Sequence, residues 1–224
     1  MEQNALKEKK DLRRGILLDV DGTLWDAVEQ ITQAWNIYGE DLPDVTHRIS
    51  VEEMRGCLGK TMFQIADILY GYLSQERRVE VLNGAMEYEN IYLVGHPGRL
   101  YPKVRETFEK LREDGWHLYI VSNCQIGYIE DFLLAADAGD LIEDHLCFQD
   151  TMREKGYNIR MCADRNHLDY ALYVGDTAGD LEAAESAGVD FIYAAYGFGS
   201  VEDTSRVKAA ITSFEDLPGC VAGI

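Results

Sequence analysis

Apolar residues fall into two patterns along the chain. Short continuous runs that end in polar or turn residues occupy Gly15 to Asp19, His117 to Val121, Tyr170 to Val174 and Val189 to Ala194, and such runs predict buried β-strands. Elsewhere apolar positions recur three or four residues apart. In KVRETFEKLRED, Val104, Phe108 and Leu111 share one helix face, and Gly115 stands where the helix should stop. From about residue 98 onward strand and helix alternate, which predicts a parallel sheet covered by helices, a doubly wound α/β fold. Ligands of such folds bind at the carboxyl ends of the strands.

Residues 27–97 break the alternation. Ala27, Ile31, Ala34 and Tyr38, then Met62, Ile65, Leu69 and Tyr72, have helical spacing, and no run between them reads as a strand. This predicts an all-α insertion after the first strand, over that strand's carboxyl end, where it can close on a ligand. The expected organisation is an α/β core of residues 1–26 and 98–224 with a helical cap of residues 27–97. No Pro/Ser-rich linker, repeat or low-complexity stretch suggests another division.

Composition removes several classes of function. Forty acidic against twenty-one basic residues give a net charge of −19, so a nucleic-acid backbone would be repelled. No apolar run approaches the ~18 residues of a membrane span. The charged N-terminal stretch leads into Ile16 to Leu18, which Asp19 interrupts at once, so no secretory signal is expected. Five scattered cysteines without a CxxC pair argue against a disulfide framework or a zinc site and favour a reducing cytoplasm.

Candidate chemistry gathers at three predicted strand ends. In GILLDVDGTLWD (15–26) the strand runs into Asp19 and Asp21. On a continuing strand these would face opposite sides, so Gly22 and Thr23 predict a turn that brings both to one site. Taken alone, Asp-x-Asp-Gly is more often a solvated loop cap or a calcium site than a catalytic pair. A calcium-binding helix–loop–helix is excluded, because its sixth and twelfth positions would be Leu24 and Gln30. In LYVGDTAGDLEAA (172–184) the strand ends at Asp176, and Asp180 either joins it or caps the next helix. Carboxylates clustered this way repel one another unless a cation compensates them, and an all-oxygen set suits Mg²⁺. In HLYIVSNCQ (117–125) Ser122 and Asn123 offer donors for an anion, or an ordinary helix cap.

The segments DVDGTLWD, IVSN and GDTAGD, in this order, resemble the three motifs of the haloacid dehalogenase (HAD) superfamily, and GHPGRLYPKVRETFEKLREDG resembles its usual approach to the second strand. The resemblance implies a Rossmann-like core with an inserted cap and, within the superfamily, the branch of phosphoglycolate-phosphatase-like hydrolases. It makes Asp19 the nucleophile that carries the phosphoryl group and Asp21 the general acid and base. It assigns Mg²⁺ to the Asp19 carboxylate, the Asp21 backbone carbonyl and Asp176, and the phosphate oxygens to Ser122 and the Asn123 backbone. Lys155, the only lysine between Ser122 and Asp176, matches the family's charge-stabilising lysine, although Gly156 follows it where many members carry proline. Asp180 would orient Lys155 or the metal's waters.

Other segments invite different readings. MRGCLGKT (54–61) mimics the end of a phosphate-binding P-loop, but Met54 occupies the place of its first glycine and no apolar strand precedes it. Arg55 and Lys60 are instead possible substrate contacts in the cap, or a solvated basic pair. GFGS (197–200) lacks the third glycine of a dinucleotide fingerprint and reads as a loop. The tyrosines at 70, 72, 88 and 92 read as cap core and rim, and the histidines show no metal-binding spacing. The expected activity is hydrolysis of a small phosphorylated metabolite. A β-phosphoglucomutase-like phosphotransferase and a non-hydrolytic binding protein are the alternatives, and Asp21 argues against a dehalogenase proper, which lacks a second acid.

Overall fold

The computed structural model describes residues 12–224. The charged segment 1–11, expected to belong to the core and to carry no signal, lies outside them. In chain order the elements are β1 (Arg14–Leu18), β2 (Trp25–Asp26), α1 (Val28–Glu40), α2 (Val51–Arg55), α3 (Met62–Leu69), α4 (Gln75–Gly95), β3 (Arg99–Leu100), α5 (Val104–Glu113), β4 (His117–Ser122), α6 (Tyr128–Ala135), β5 (Asp144–Cys147), α7 (Phe148–Thr151), α8 (Lys155–Arg165), β6 (Tyr170–Gly175), α9 (Ala178–Ala187), β7 (Asp190–Ala194), β8 (Ala209–Ile211) and α10 (Leu217–Val221). Six strands form a parallel sheet in the order β5-β4-β1-β6-β7-β8, the doubly wound architecture expected.

Alternate side chains of the central strands feed two cores. Ile16, Leu18, Ile120 and Val174 point to the face shared with Phe108, Leu111 and Phe214, while Leu17, Tyr119, Val121 and Tyr173 meet Ile159, Cys162, Leu181 and Ala184 of α8 and α9 on the other. Burial on both faces explains why these strands are uninterrupted apolar runs. The register places Leu18 level with Ile120 and Val174, so the residues that follow β1, β4 and β6 emerge side by side at one edge of the sheet.

Among the described residues, none between 27 and 97 lies in a strand. The helices there pack α1 on α4, and their buried residues, among them Trp35, Leu82 and Met86, join the same core as one face of the sheet. The antiparallel pair of β2 with β3, Trp25 opposite Leu100 and Asp26 opposite Arg99, ties the start and end of this stretch together. Tyr70 is buried and stacks on Trp35, whereas Tyr72 is exposed. The edge strands β5 and β8 were not anticipated from the pattern of residues. An edge needs no full apolar run, and half-buried Asp144 and His145 in β5 conceal it. No described helix is long and apolar enough to cross a membrane, and all five cysteines are free.

Candidate active site

Asp19 is the first residue beyond β1 and Asp176 the first beyond the adjacent β6. The Asp19 amide still donates to the Val174 carbonyl at 2.9 Å, after which the chain leaves the sheet and closes a turn through Leu24 N to Val20 O at 2.8 Å. Gly22, with φ of 80°, makes that turn possible, and Asp21 consequently lines the same cleft as Asp19. A side chain on Gly22 would put its Cβ 2.5 Å from the Asp176 carboxyl carbon. Overpacking together with the left-handed backbone should make Gly22→Ala destabilising by roughly 2–4 kcal/mol, a fall in Tm on the order of 10 °C for a chain of this size. Thermal unfolding measures it, and an unchanged Tm would mean that the turn does not abut Asp176.

The carboxylates of Asp19, Asp176 and Asp180 each bring an oxygen within 4.8 Å of the others, all three being buried. Lys155, buried at the first turn of α8, places Nζ 2.7 Å from Asp180 Oδ1 and 3.1 Å from Asp19 Oδ1. Gly156 permits this placement: a Cβ there would lie 2.9 Å from the Ala183 carbonyl oxygen, so its absence lets α8 sit against α9. Asp180 holds Lys155 and caps the next helix at once. Its Oδ1 holds Lys155, while Oδ2 accepts from the Thr177 amide at 3.0 Å and hydroxyl at 2.7 Å in a capping box that starts α9.

Burial dominates the electrostatics. It pushes Asp19 up to about 6, against the pull of Lys155 and with help from Asp180. It pushes Asp176 up to about 8, reinforced by Asp180 and Asp19. Asp21 is also raised well above the usual carboxylate range by burial, although Tyr128 Oη donates to its Oδ1 at 2.6 Å. Burial works against the Lys155 ammonium, but Asp180 and Asp19 outweigh it and hold the lysine protonated. Asp176 Oδ2 accepts from Gly199 N at 2.7 Å, whereas its Oδ1 is buried without a donor among the described residues. Asp19 Oδ1 has the ion pair with Lys155 but no partner of hydrogen-bond geometry among the described residues. Buried carboxylate oxygens left in this state fit a hard cation, and the all-oxygen donor set fits Mg²⁺. Asp180, with both oxygens engaged, is not free to join.

Ser122, Asn123 and Lys60 line the cleft with Asp19 and Asp21, and Asn123 Nδ2 donates to the Gly59 carbonyl at 2.9 Å across to the helical stretch. Arg55 does not line it. Met54 turns inward and is buried, while Arg55 is exposed in a separate groove with Asp26, Glu29 and Arg99. Sequence reading missed Tyr128, Trp35, Glu89 and Gln125, which also line the cleft. Glu89 left a trace: Leu82, Met86, Glu89 and Leu93 form one buried face of α4, and an acid in that apolar series is out of place. GFGS is a loop, as expected, but one that serves the site. Gly197 leaves room for Asp176, and Gly199 donates to it.

The fold is a doubly wound α/β sheet with buried carboxylates gathered at the ends of adjacent strands. Residues 16–194 match the family of haloacid dehalogenase-like hydrolases, and the chain belongs to that family. It is 27% identical over 215 residues to the phosphoglycolate phosphatase of Aliivibrio fischeri, covering 89% of this chain and 92% of the relative. It is 30% identical over 209 residues to the phosphoglycolate phosphatase of Vibrio vulnificus, covering 85% and 87%. A haloacid dehalogenase-like family hydrolase from Streptococcus pneumoniae has the same fold, with a TM-score of 0.77 at 19% identity over 93% of this chain and 97% of that one. The chain is a phosphoric monoester hydrolase of this family.

Proposed function

We propose that the chain is a Mg²⁺-dependent phosphatase of small phosphorylated metabolites, phosphoglycolate-phosphatase-like in plan, that works through an aspartyl phosphate on Asp19. The observation that carries this reading is the buried trio of Asp19, Asp176 and Lys155, with carboxylate oxygens left unsatisfied beside a fixed ammonium. The Asp19 and Asp176 carboxylates and the Asp21 backbone carbonyl would hold the ion. Bound there, Mg²⁺ supplies neutralising charge that lets an anionic nucleophile meet an anionic phosphate.

Asp19 attacks phosphorus through a carboxylate oxygen, the P–O bond to the leaving group breaks, and Asp21 donates its proton to the departing oxygen. Asp21, now ionised, takes a proton from water, whose oxygen attacks phosphorus and frees phosphate and Asp19. Burial favours a protonated Asp21, and the Tyr128 hydroxyl fixes its orientation. Ser122 and the Asn123 backbone hold phosphate oxygens, Lys155 offsets charge on the transferring group, and Asp180 holds Lys155 in place. The helical stretch 27–97 acts as a cap, and a reducing cytoplasm is the proposed setting for a chain whose cysteines are all free.

Phosphate release from a panel of sugar, nucleotide, glycolate and aryl phosphates tests the reading. Chelation should lower release at least ~100-fold, given that metal neutralisation supplies several kcal/mol, and added Mg²⁺ should restore it. Release from none of the esters overturns the phosphatase reading, and release indifferent to chelation overturns the metal.

A further inference from the structure

One buried carboxyl group in the cleft has no part in the chemistry above. Glu89, on α4, is 2% exposed, and no basic side chain among the described residues pairs with it. Its two oxygens accept from the Trp35 indole N–H and, at 2.9 Å, from Gln125 Nε2. The indole is a donor only, and the amide nitrogen offers only hydrogens, so the surroundings are built for an acceptor. The acid that acts on it electrostatically, Asp131, adds no positive charge to pair with it. The remaining cap-side wall is apolar, formed by Ile31, Trp35, Met54, Met62 and Ile65. Lys60, the one basic residue among the described ones on the lining, is exposed and so screened by solvent.

We propose that Glu89 selects the leaving group: the cleft takes phosphate monoesters whose short alcohol carries a cationic or neutral hydrogen-bond donor, an amino alcohol above all, and rejects those that carry a carboxylate. The proposal rests on the phosphatase reading and narrows its substrate class. A carboxylate oxygen accepts more than one hydrogen bond, so a donor on the substrate adds to the contacts with Trp35 and Gln125 instead of displacing them. An ammonium seated there pairs with the Glu89 carboxyl and favours its ionised form, whereas a carboxylate on the substrate is repelled by it where screening is weak.

Three esters of nearly equal length separate the charges: O-phosphoethanolamine, 2-hydroxyethyl phosphate and 2-phosphoglycolate. The kcat/KM should fall in that order, with the first at least about tenfold above the last, since like and opposite charges in contact inside a protein differ by more than the ~1.4 kcal/mol of a tenfold ratio. Glu89→Gln should bring the two ends to within about threefold of each other. A wild-type preference for 2-phosphoglycolate overturns the proposal, and that result stands even if the variant does not fold. A ratio unchanged by Glu89→Gln overturns it too, as does hydrolysis of p-nitrophenyl phosphate with all three alkyl esters untouched. Failure to release phosphate from any of the four overturns the phosphatase reading, and the proposal falls with it.

Discussion

Asp19→Asn is expected to reduce phosphate release by roughly 10⁴-fold or more, the scale of loss when an enzyme's nucleophile is removed. The amide keeps the shape of the side chain but cannot attack phosphorus, so the first half-reaction has no substitute. The fold should survive, because Lys155 retains Asp180, the closer of its two partners at 2.7 Å, and the buried site carries one negative charge fewer. Asp180→Asn should be milder, on the order of 10–100-fold, because Asp180 touches Lys155 and Thr177 and not the reacting atoms. Steady-state kinetics on one hydrolysable ester, with circular dichroism to confirm folding, measures both. Equal losses would mean that Asp180 takes a direct part or that Asp19 is not the nucleophile.

The legible part of this protein is the part buried on both sides. β1, β4 and β6 announce themselves as apolar runs because helices cover each face, and a carboxylate or a Ser-Asn pair at the end of such a run is conspicuous. Register then does what sequence cannot express, bringing residues more than 100 positions apart to one edge. The helical stretch is legible as helices but not as a surface. Arg55 and Lys60 are close in sequence, yet the turn through Gly59, with φ of 85°, sends only Lys60 to the cleft. The tempting GKT is the start of α3, where Gln64 accepts from the Thr61 amide at 3.0 Å. Tyr128 and Gln125 were invisible because their partners, Asp21 and Glu89, lie on other elements. No local pattern distinguishes such pairings from ordinary polar positions.

Without metal, the protein should lose stability as the pH rises from about 5 to 8, and Mg²⁺ should restore it most strongly at the upper end. Asp19 is raised from 3.8 to about 6, Asp176 from 3.8 to about 8 and Glu89 from 4.5 to about 7, burial being the leading cause for each. A raised carboxyl pKa means that the folded chain holds protons the unfolded chain has already released. Stability is therefore greatest below the unfolded values and declines as the pH climbs through the folded ones. Each unit is worth about 1.4 kcal/mol, and all three side chains are at least 98% buried, so the total is on the order of several kcal/mol. The shift at Lys155 acts above its ordinary value of 10.5, outside this window. Mg²⁺ binds the ionised carboxylates and competes with the same protons. At one hundred times its Kd it should add about 2.7 kcal/mol, or on the order of 5–10 °C in Tm, with little gain at pH 5. Thermal unfolding across this range, with and without Mg²⁺, measures both arms. A flat metal-free profile would mean that the acids are not buried together, and an equal Mg²⁺ increment at pH 5 and pH 8 would place the ion away from Asp19 and Asp176.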